Sequence, residues 1–300
     1  MNMPDQIVHI GFPKTATTFL QRSVFPAISG INYIDYHKSV ELLSSLIYLD
    51  DLDYSPKVVE KNLKSHLSDS VNLTSFEGLC GAPFIYKGLG RSAIAGRLKE
   101  LGFNKVIITL RDQESLIDSI YRQHILQGGV VKFKDFVDLD GKFNLYNRSF
   151  NLEYLNYFKL IKLYREVFGT QNVIVLSHKE LVTDQQSYIR KLVDFIHPGS
   201  PELKISHQSE NPALTNLSIN LLRIINHFIF TSQKPNHLIW NKISTKYISK
   251  SFQAILDPYF FRFFSSKKSY VKTKECVFLK QYYAHSNEQL SKLLGNEFSL

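Results

Sequence analysis

An α/β fold built on a parallel sheet is what this 300-residue sequence predicts, and three observations predict it. Short apolar, β-rich runs alternate along the chain with helical stretches. Two of the runs, VIIT at 106–109 and VIVL at 173–176, are continuously apolar rather than alternating, as expected of strands covered on both faces. A strand end also passes directly into a hydroxyl-rich helix start, in IGFPKTATTFLQ at 10–21.

The elements follow in order. Strands are expected at Ile7–Ile10, Ile31–Tyr36, Val71–Phe76, Val106–Leu110 and Val173–Leu176. Helices are expected at about Thr17–Phe25, Arg91–Leu101, Glu114–Ile125, Leu152–Phe168 and Gln185–Ile196. From about Pro201 the pattern turns helical, beginning with ALTNLSINLLRIINHF. The later stretch 231–275 is rich in Lys, Ser and aromatics, and DPYFFRFFSSKKSY at 257–270 is its most unusual part. One domain is the simplest architecture, with a core over about 5–200 and a mostly helical extension over about 201–300.

Composition narrows the function classes. With 44% apolar and 21% charged residues the chain has enough apolar surface for a large core, which excludes global disorder. Cys80 and Cys276 are far apart and lack metal-ligand spacing, so neither a disulfide framework nor a zinc site is expected. The formal charge of +9 favours anionic partners. Its cations are spread along the chain without a zinc-finger, RRM or homeodomain pattern, so nucleic acid is not expected. A small anionic cofactor or an acidic glycan suits the charge equally well. The first strand begins by Ile7, which leaves no room for a signal peptide. LLRIINHFIF at 221–230 contains Arg223 and His227 and is too short to span a bilayer. A soluble cytoplasmic protein is the expectation.

In open parallel sheets, ligands bind outside the carboxyl ends of the strands, and three such junctions carry polar groups. After the first strand come Lys14, Thr15, Thr17 and Thr18, which offer a point charge, hydroxyls and helix-start N–H groups to an anion. An ordinary strand–turn–helix with a threonine cap is the plainer reading. After the fourth strand stands Arg111, with Ser119 eight residues on in the next helix; guanidinium and hydroxyl together suit a phosphate monoester. An arginine there also serves commonly as a surface salt-bridge partner. After the third strand stands Glu77, followed by a glycine; it is either a general base for an acceptor hydroxyl or a cap.

These junctions together resemble a known family, the PAPS-dependent sulfotransferases, and within it the bacterial branch similar to carbohydrate sulfotransferases. FPKTATTFLQ resembles that family's 5′-phosphosulfate loop, and LRDQESLIDSIYRQH its 3′-phosphate motif. Weaker similarity covers VIVLSHKELVTDQQSYIRKLVDFI and YYAHSNEQLSKLLG. The resemblance implies a P-loop-containing three-layer fold, with a central parallel sheet flanked by helices. It implies that Pro13, Lys14, Thr15, Ala16, Thr17 and Thr18 hold the 5′-phosphosulfate of PAPS, that Arg111 and Ser119 hold its 3′-phosphate, and that PAP leaves as product. Glu77 stands where relatives place the catalytic base; a minority take it from just after the second strand, which here nominates His37. Ala16 occupies a position that is often Gly, Gln113 stands where many relatives have Pro, and the glycine-rich C-terminal cofactor loop of the cytosolic enzymes has no counterpart here.

No metal is expected, because Lys14 and Arg111 supply positive charge and no carboxylate cluster stands near the loop. The resemblance implies a glycan or glycolipid acceptor. Two other readings stay open. A P-loop nucleotide kinase would need a Gly-Lys pair in the loop, which the sequence lacks. A non-catalytic nucleotide-anion or membrane-surface binding protein would use YFFRFFSSKKSY as a basic aromatic patch on the inner membrane face, against the plainer reading of a packed helix with a solvated basic end. His9 reads as a packed strand histidine, and His124 as a residue of the helix after Arg111 that could line an acceptor cleft.

Overall fold

All five β-rich runs become strands, and their apolar residues explain why. In a computed structural model, which describes residues 4–81, 88, 90–137, 150–205, 214–230, 240–264, 268–295, 298 and 300, they are β1 (Gln6–His9), β2 (Ile31–Ile34), β3 (Val71–Ser75), β4 (Lys105–Leu110) and β5 (Val173–Ser177). They form one sheet, wholly parallel, in the order β2-β3-β1-β4-β5.

Helices fill the connections. After β1 the chain enters α1 (Thr17–Phe19), which continues as π-helical turns at Leu20–Val24 and a 3-10 turn at Phe25–Ala27. Between β2 and β3 lie α2 (Tyr36–Leu43), α3 (Ser45–Tyr48) and α4 (Pro56–Lys64). Next come α5 (Arg91–Glu100), then after β4 α6 (Gln113–Leu126) and α7 (Phe133–Phe136). The helix α8 (Tyr157–Phe168) precedes β5, and α9 (His178–Thr183) and α10 (Gln185–Ile196) follow it. Beyond residue 201 are α11 (Asn216–Ile225), a short parallel pair β6 (Ile229–Phe230) and β7 (Trp240–Ser244), α12 (Thr245–Ser251), π-helical turns at Phe252–Phe261, α13 (Arg262–Phe264) and α14 (Thr273–Leu294).

Local chemistry sets several boundaries. The Asp35 carboxylate accepts from the backbone N–H groups of His37 and Lys38 and so starts α2. Pro56 opens α4, where its missing N–H costs nothing. The expected helix Leu152–Phe168 divides at Asn156, whose side chain caps α8, leaving a 3-10 turn at Leu152–Leu155 before it. The helices of 36–64 lie in a stretch for which no helix was expected, and the β6–β7 pair interrupts an extension expected to be mostly helical.

The chain divides into two compact units, one of residues Met1–Asp112, Glu153–Gln208 and Gln281–Leu300, the other of Gln113–Leu152 and Ser209–Lys280. The first unit holds the whole five-stranded sheet. On one sheet face Ile7, Leu73, Ile107 and Leu176 pack with Phe19, Leu20, Val24 and Phe25 from the helical run after β1. Tyr188, Leu192 and Ile196 of α10 complete that core. Each such side chain contributes about 1.5–3 kcal/mol by leaving water. The helices α5 and α8 pack on each other, and α8 on β4 and β5. Helices thus flank a central parallel sheet, as the resemblance implied.

Within the second unit, Arg122 on α6 ties distant segments together. Its Nε donates to Asp118 Oδ2 at 2.8 Å, while its terminal nitrogens donate to the Leu214 and Lys268 carbonyls and to Asn216 Oδ1. Asp118 Oδ1 accepts from the Tyr270 N–H at 2.6 Å. Both charges are buried, and this is the setting in which an arginine with a full set of acceptors organises a unit around itself.

Candidate active site

Sheet order decides which junctions meet. The strand β1 lies between β3 and β4, with His9 paired to Ser75 on one side and Ile107 on the other. Pairing continues past the strand ends: the Phe76 N–H bonds the His9 carbonyl, Ile10 that of Ile107, and Phe12 that of Thr109. The loop after β1 therefore rises between the end of β3, which carries Glu77, and the end of β4, which carries Arg111. All three belong to the first unit.

The loop itself is bent in a way side chains seldom tolerate. Lys14 has φ 67° and Ala16 φ 64°, both left-handed and neither of them glycine. Each costs on the order of 1 kcal/mol over glycine, and such outliers collect at functional sites. Three hydrogen bonds and two ring contacts hold the bend. Arg111 donates from Nη1 to the Lys14 carbonyl at 3.1 Å, and the Tyr157 hydroxyl fixes the Arg111 carbonyl at 2.7 Å. Phe12 lies edge-on to Tyr154 and Tyr157, with ring centroids 5.3 and 4.8 Å away. Thr15, fully buried, donates from Oγ1 to the Phe12 carbonyl at 2.6 Å. Helix α1 begins at Thr17 without a side-chain cap, which leaves its first N–H groups to other partners. Thr17 is buried and Thr18 half-buried.

Lys14 is exposed as a residue, yet loss of solvent around its ammonium pulls its pKa down, as does the Arg111 charge, while Glu77 opposes them. The large accessible surface carries more weight, so the group remains cationic at neutral pH. Glu77 is half-buried and accepts from Gln21 Nε2 at 3.0 Å. Its charge also reaches the neighbouring tyrosines. Burial first, then Glu77, raises Tyr36 to about 12. Tyr33 is raised by burial, then by Asp35 and Glu77. Cys80 is buried and pushed up to about 12, chiefly by desolvation, so it is a closed thiol.

The structure thus brings together Lys14, Arg111 and Glu77, with Pro13 and Thr15–Thr18 in the same loop. His37 stands exposed in the first turn of α2, its backbone bonded to Asp35 and its ring against Tyr36. Ser119 lies six residues into α6, which begins at Gln113, one residue before its expected start. It is half-buried and belongs to the second unit, as does buried His124. His9 is a packed strand histidine, as expected: fully buried, with its pKa lowered to about 3 by desolvation.

Sequence reasoning missed Gln21, Tyr157 and the reason for Gly11. A Cβ on Gly11 would lie 2.1 Å from Thr109 Oγ1 and 2.5 Å from His9 Nε2, so the glycine is there for space. The signal was available: Ile7, Leu73 and Ile107 of the apolar face are each followed two residues later by a polar one, His9, Ser75 and Thr109. With a side-chain period of two, that pattern marks a polar layer at the carboxyl end of one face.

No family model matches the chain, and no curated protein matches it. Solved structures do. A sulfotransferase from Alicyclobacillus acidocaldarius is similar at 14% identity, over 76% of this chain and 94% of that one, with a TM-score of 0.49. Mouse sulfotransferase SULT7A1 complexed with PAP is similar at 15% identity, over 98% of this chain and 89% of that one, with a TM-score of 0.44. The sulfotransferase domain from the curacin biosynthetic pathway is similar at 16% identity, over 67% and 77%, with a TM-score of 0.38. Likeness at this level assigns no role to any residue.

Proposed function

We propose that this chain is a PAPS-dependent sulfotransferase acting on a carbohydrate or glycolipid hydroxyl or amine. One observation carries the reading: two cations, Lys14 and Arg111, are fixed to one strained loop at adjacent strand ends, with the carboxylate of Glu77 in electrostatic reach. Left-handed turns in such a loop form the backbone concavities that suit phosphate oxygens, so the residues present fit a phosphosulfate.

PAPS supplies the sulfuryl group, its bond to the phosphate oxygen breaking as the bond to the acceptor oxygen or nitrogen forms. Lys14 neutralises charge growing on the departing phosphate; one such group is typically worth about 10²–10³ in rate. Arg111 holds the 3′-phosphate and thereby distinguishes this nucleotide from ATP. Glu77 receives the acceptor proton, worth about 10²–10⁴. His37 is the second choice for that base.

The acceptor and its place belong to the same proposal. Tyr247, Ile255, Tyr259 and Phe263 recur at four- or eight-residue spacing, all exposed, with Phe263 at 80%. Lys250 and Lys268 are exposed near them in sequence. That apolar run with cations supports contact with an anionic bilayer surface, on the cytoplasmic side. Among the described residues no helix is long and apolar enough to cross a membrane. Co-sedimentation with phosphatidylglycerol vesicles, lost in Phe263→Ser, is the expected result; equal binding by the variant would remove this part.

Calorimetric titration with adenosine 3′,5′-bisphosphate, beside AMP and Mg·ATP, tests the donor site. Tight metal-independent binding of the bisphosphate, weak binding of AMP and a large loss in Arg111→Ala are expected. A preference for Mg·ATP would favour a kinase, and no binding at all would end the proposal. Lys14→Ala should lower bisphosphate release from PAPS about 10²–10³-fold in a protein that still melts cooperatively.

A further inference from the structure

Beneath the loop runs a continuous chain of hydrogen-bonded side chains, buried through Thr15, Thr109, His9, Ser75 and Gln21 and ending at half-buried Glu77. The contacts are Thr15–Thr109 at 2.6 Å, Thr109–His9 Nε2 at 3.4 Å and His9 Nδ1–Ser75 at 2.8 Å. Gln21 Nε2 then reaches both Ser75 Oγ and Glu77 Oε2, each at 3.0 Å. Thr15, His9, Ser75 and Thr109 are fully buried, and Gln21 nearly so.

Every proton in this chain has a determined direction. The one proton of Thr15 goes to the Phe12 carbonyl, so the Thr15–Thr109 bond uses the proton of Thr109. Thr109 is then an acceptor toward His9, which places a proton on Nε2. Burial keeps His9 neutral well below ordinary pH, leaving Nδ1 bare to accept from Ser75. With its proton committed there, Ser75 Oγ accepts from Gln21. An ionised carboxylate only accepts, so the Gln21 atom facing both Ser75 and Glu77 is the amide NH₂. Flipping the amide would set its oxygen against the Glu77 carboxylate.

We infer that Gln21 is the positioning residue for Glu77, and that the buried chain from Thr15 fixes which end of its amide the base meets. The inference rests on the reading of Glu77 as the base. Gln21 holds Oε2; among the described residues no hydrogen bond reaches Oε1, which is left to receive the acceptor proton. The other charged or titratable groups whose fields meet Glu77 are Lys14 from the loop, Tyr33 on β2, Tyr36 on α2 and Cys80 in the turn after β3. The chain begins at Thr15, inside the anion loop, so one layer of hydrogen bonds serves both loop and base.

The probe is PAPS with water as acceptor, read as bisphosphate release by wild type, Gln21→Met, Glu77→Gln and the double variant. Gln21→Met keeps the length of the side chain and removes its donors. Its kcat should fall about ten-fold or more, with KM for PAPS and bisphosphate affinity within two-fold of wild type; in the Glu77→Gln background it should cause no further fall. Wild-type kcat in Gln21→Met beside an impaired Glu77→Gln overturns the positioning role alone. Full activity in Glu77→Gln instead overturns the assignment of the base. A readout free of variants is the ring ¹⁵N spectrum of His9 in the unliganded protein. The Nε2–H tautomer is expected, and an Nδ1–H tautomer overturns the proton directions and the inference with them.

Discussion

Gly11→Ala is the sharpest test of the buried polar layer, because its effect is set by space and not by backbone freedom. The added methyl would sit 2.1 Å from Thr109 Oγ1 and 2.5 Å from His9 Nε2. Both side chains are fully buried and hydrogen-bonded, so neither can swing aside cheaply. Overpacking a dense interior costs about 1–3 kcal/mol. Displacing Thr109 also breaks its bond to Thr15, and an orphaned buried polar group costs about 1–3 kcal/mol more. Together the variant should lose about 2–6 kcal/mol in urea unfolding. Gly96→Ala is the control: Gly96 lies exposed within α5, a Cβ there meets nothing within 4 Å, and the helix should gain about 0.5–1 kcal/mol. A Gly11→Ala protein within 0.5 kcal/mol of wild type would refute the packing of His9 and Thr109 beneath the loop.

Further outcomes follow from the same geometry. Ala16→Gly should stabilise the protein by about 1 kcal/mol, since φ 64° suits glycine; an unchanged urea midpoint would contradict the left-handed turn. His9 has a folded pKa near 3 against an unfolded value of 6.5, so the unfolded chain binds the extra proton between those values. Stability from this group is complete above about pH 6.5 and declines by about 1.4 kcal/mol per pH unit as pH falls toward 3; NMR showing a His9 ring that titrates near 6.5 would remove the effect. Arg122→Met strips a buried Asp118 of its guanidinium and should cost about 3–5 kcal/mol, read as an earlier urea transition; a loss under 1 kcal/mol would show that Arg122 is no hub.

The fold was legible because its strands are runs of β-branched residues with no competing period. All five fell within two residues of their expected ends, and Lys14, Glu77 and Arg111 stood where a parallel sheet gathers its ligand groups. The helices of 36–64 were not legible: α2 depends on the Asp35 cap and on burial of Ser39, Leu42 and Leu43, in a stretch with little propensity of its own. Gln21 was hidden for a different reason. It sits in a π-helical stretch, where 3.6-residue periodicity misassigns faces, and its partners, Ser75 and Glu77, lie more than 50 residues away at the end of β3.

The division of labour in the site follows from that layer. The loop after β1 supplies charge at the surface, where Lys14 meets solvent and Arg111 braces its carbonyl. Directional control sits one level below, in neutral groups out of reach of water and salt. A buried charge there would have needed a partner and would have altered the field of the two cations. A neutral histidine between two hydroxyls adds none, and it still hands a fixed orientation from Thr15 to Gln21. Screening of surface charge by salt should therefore weaken anion affinity while leaving the Gln21–Glu77 contact untouched. In a PAPS-turnover experiment, rising ionic strength should raise KM with little change in kcat; a parallel fall in kcat would mean that Glu77, the proposed base, is oriented by the exposed charges instead of by the layer beneath them.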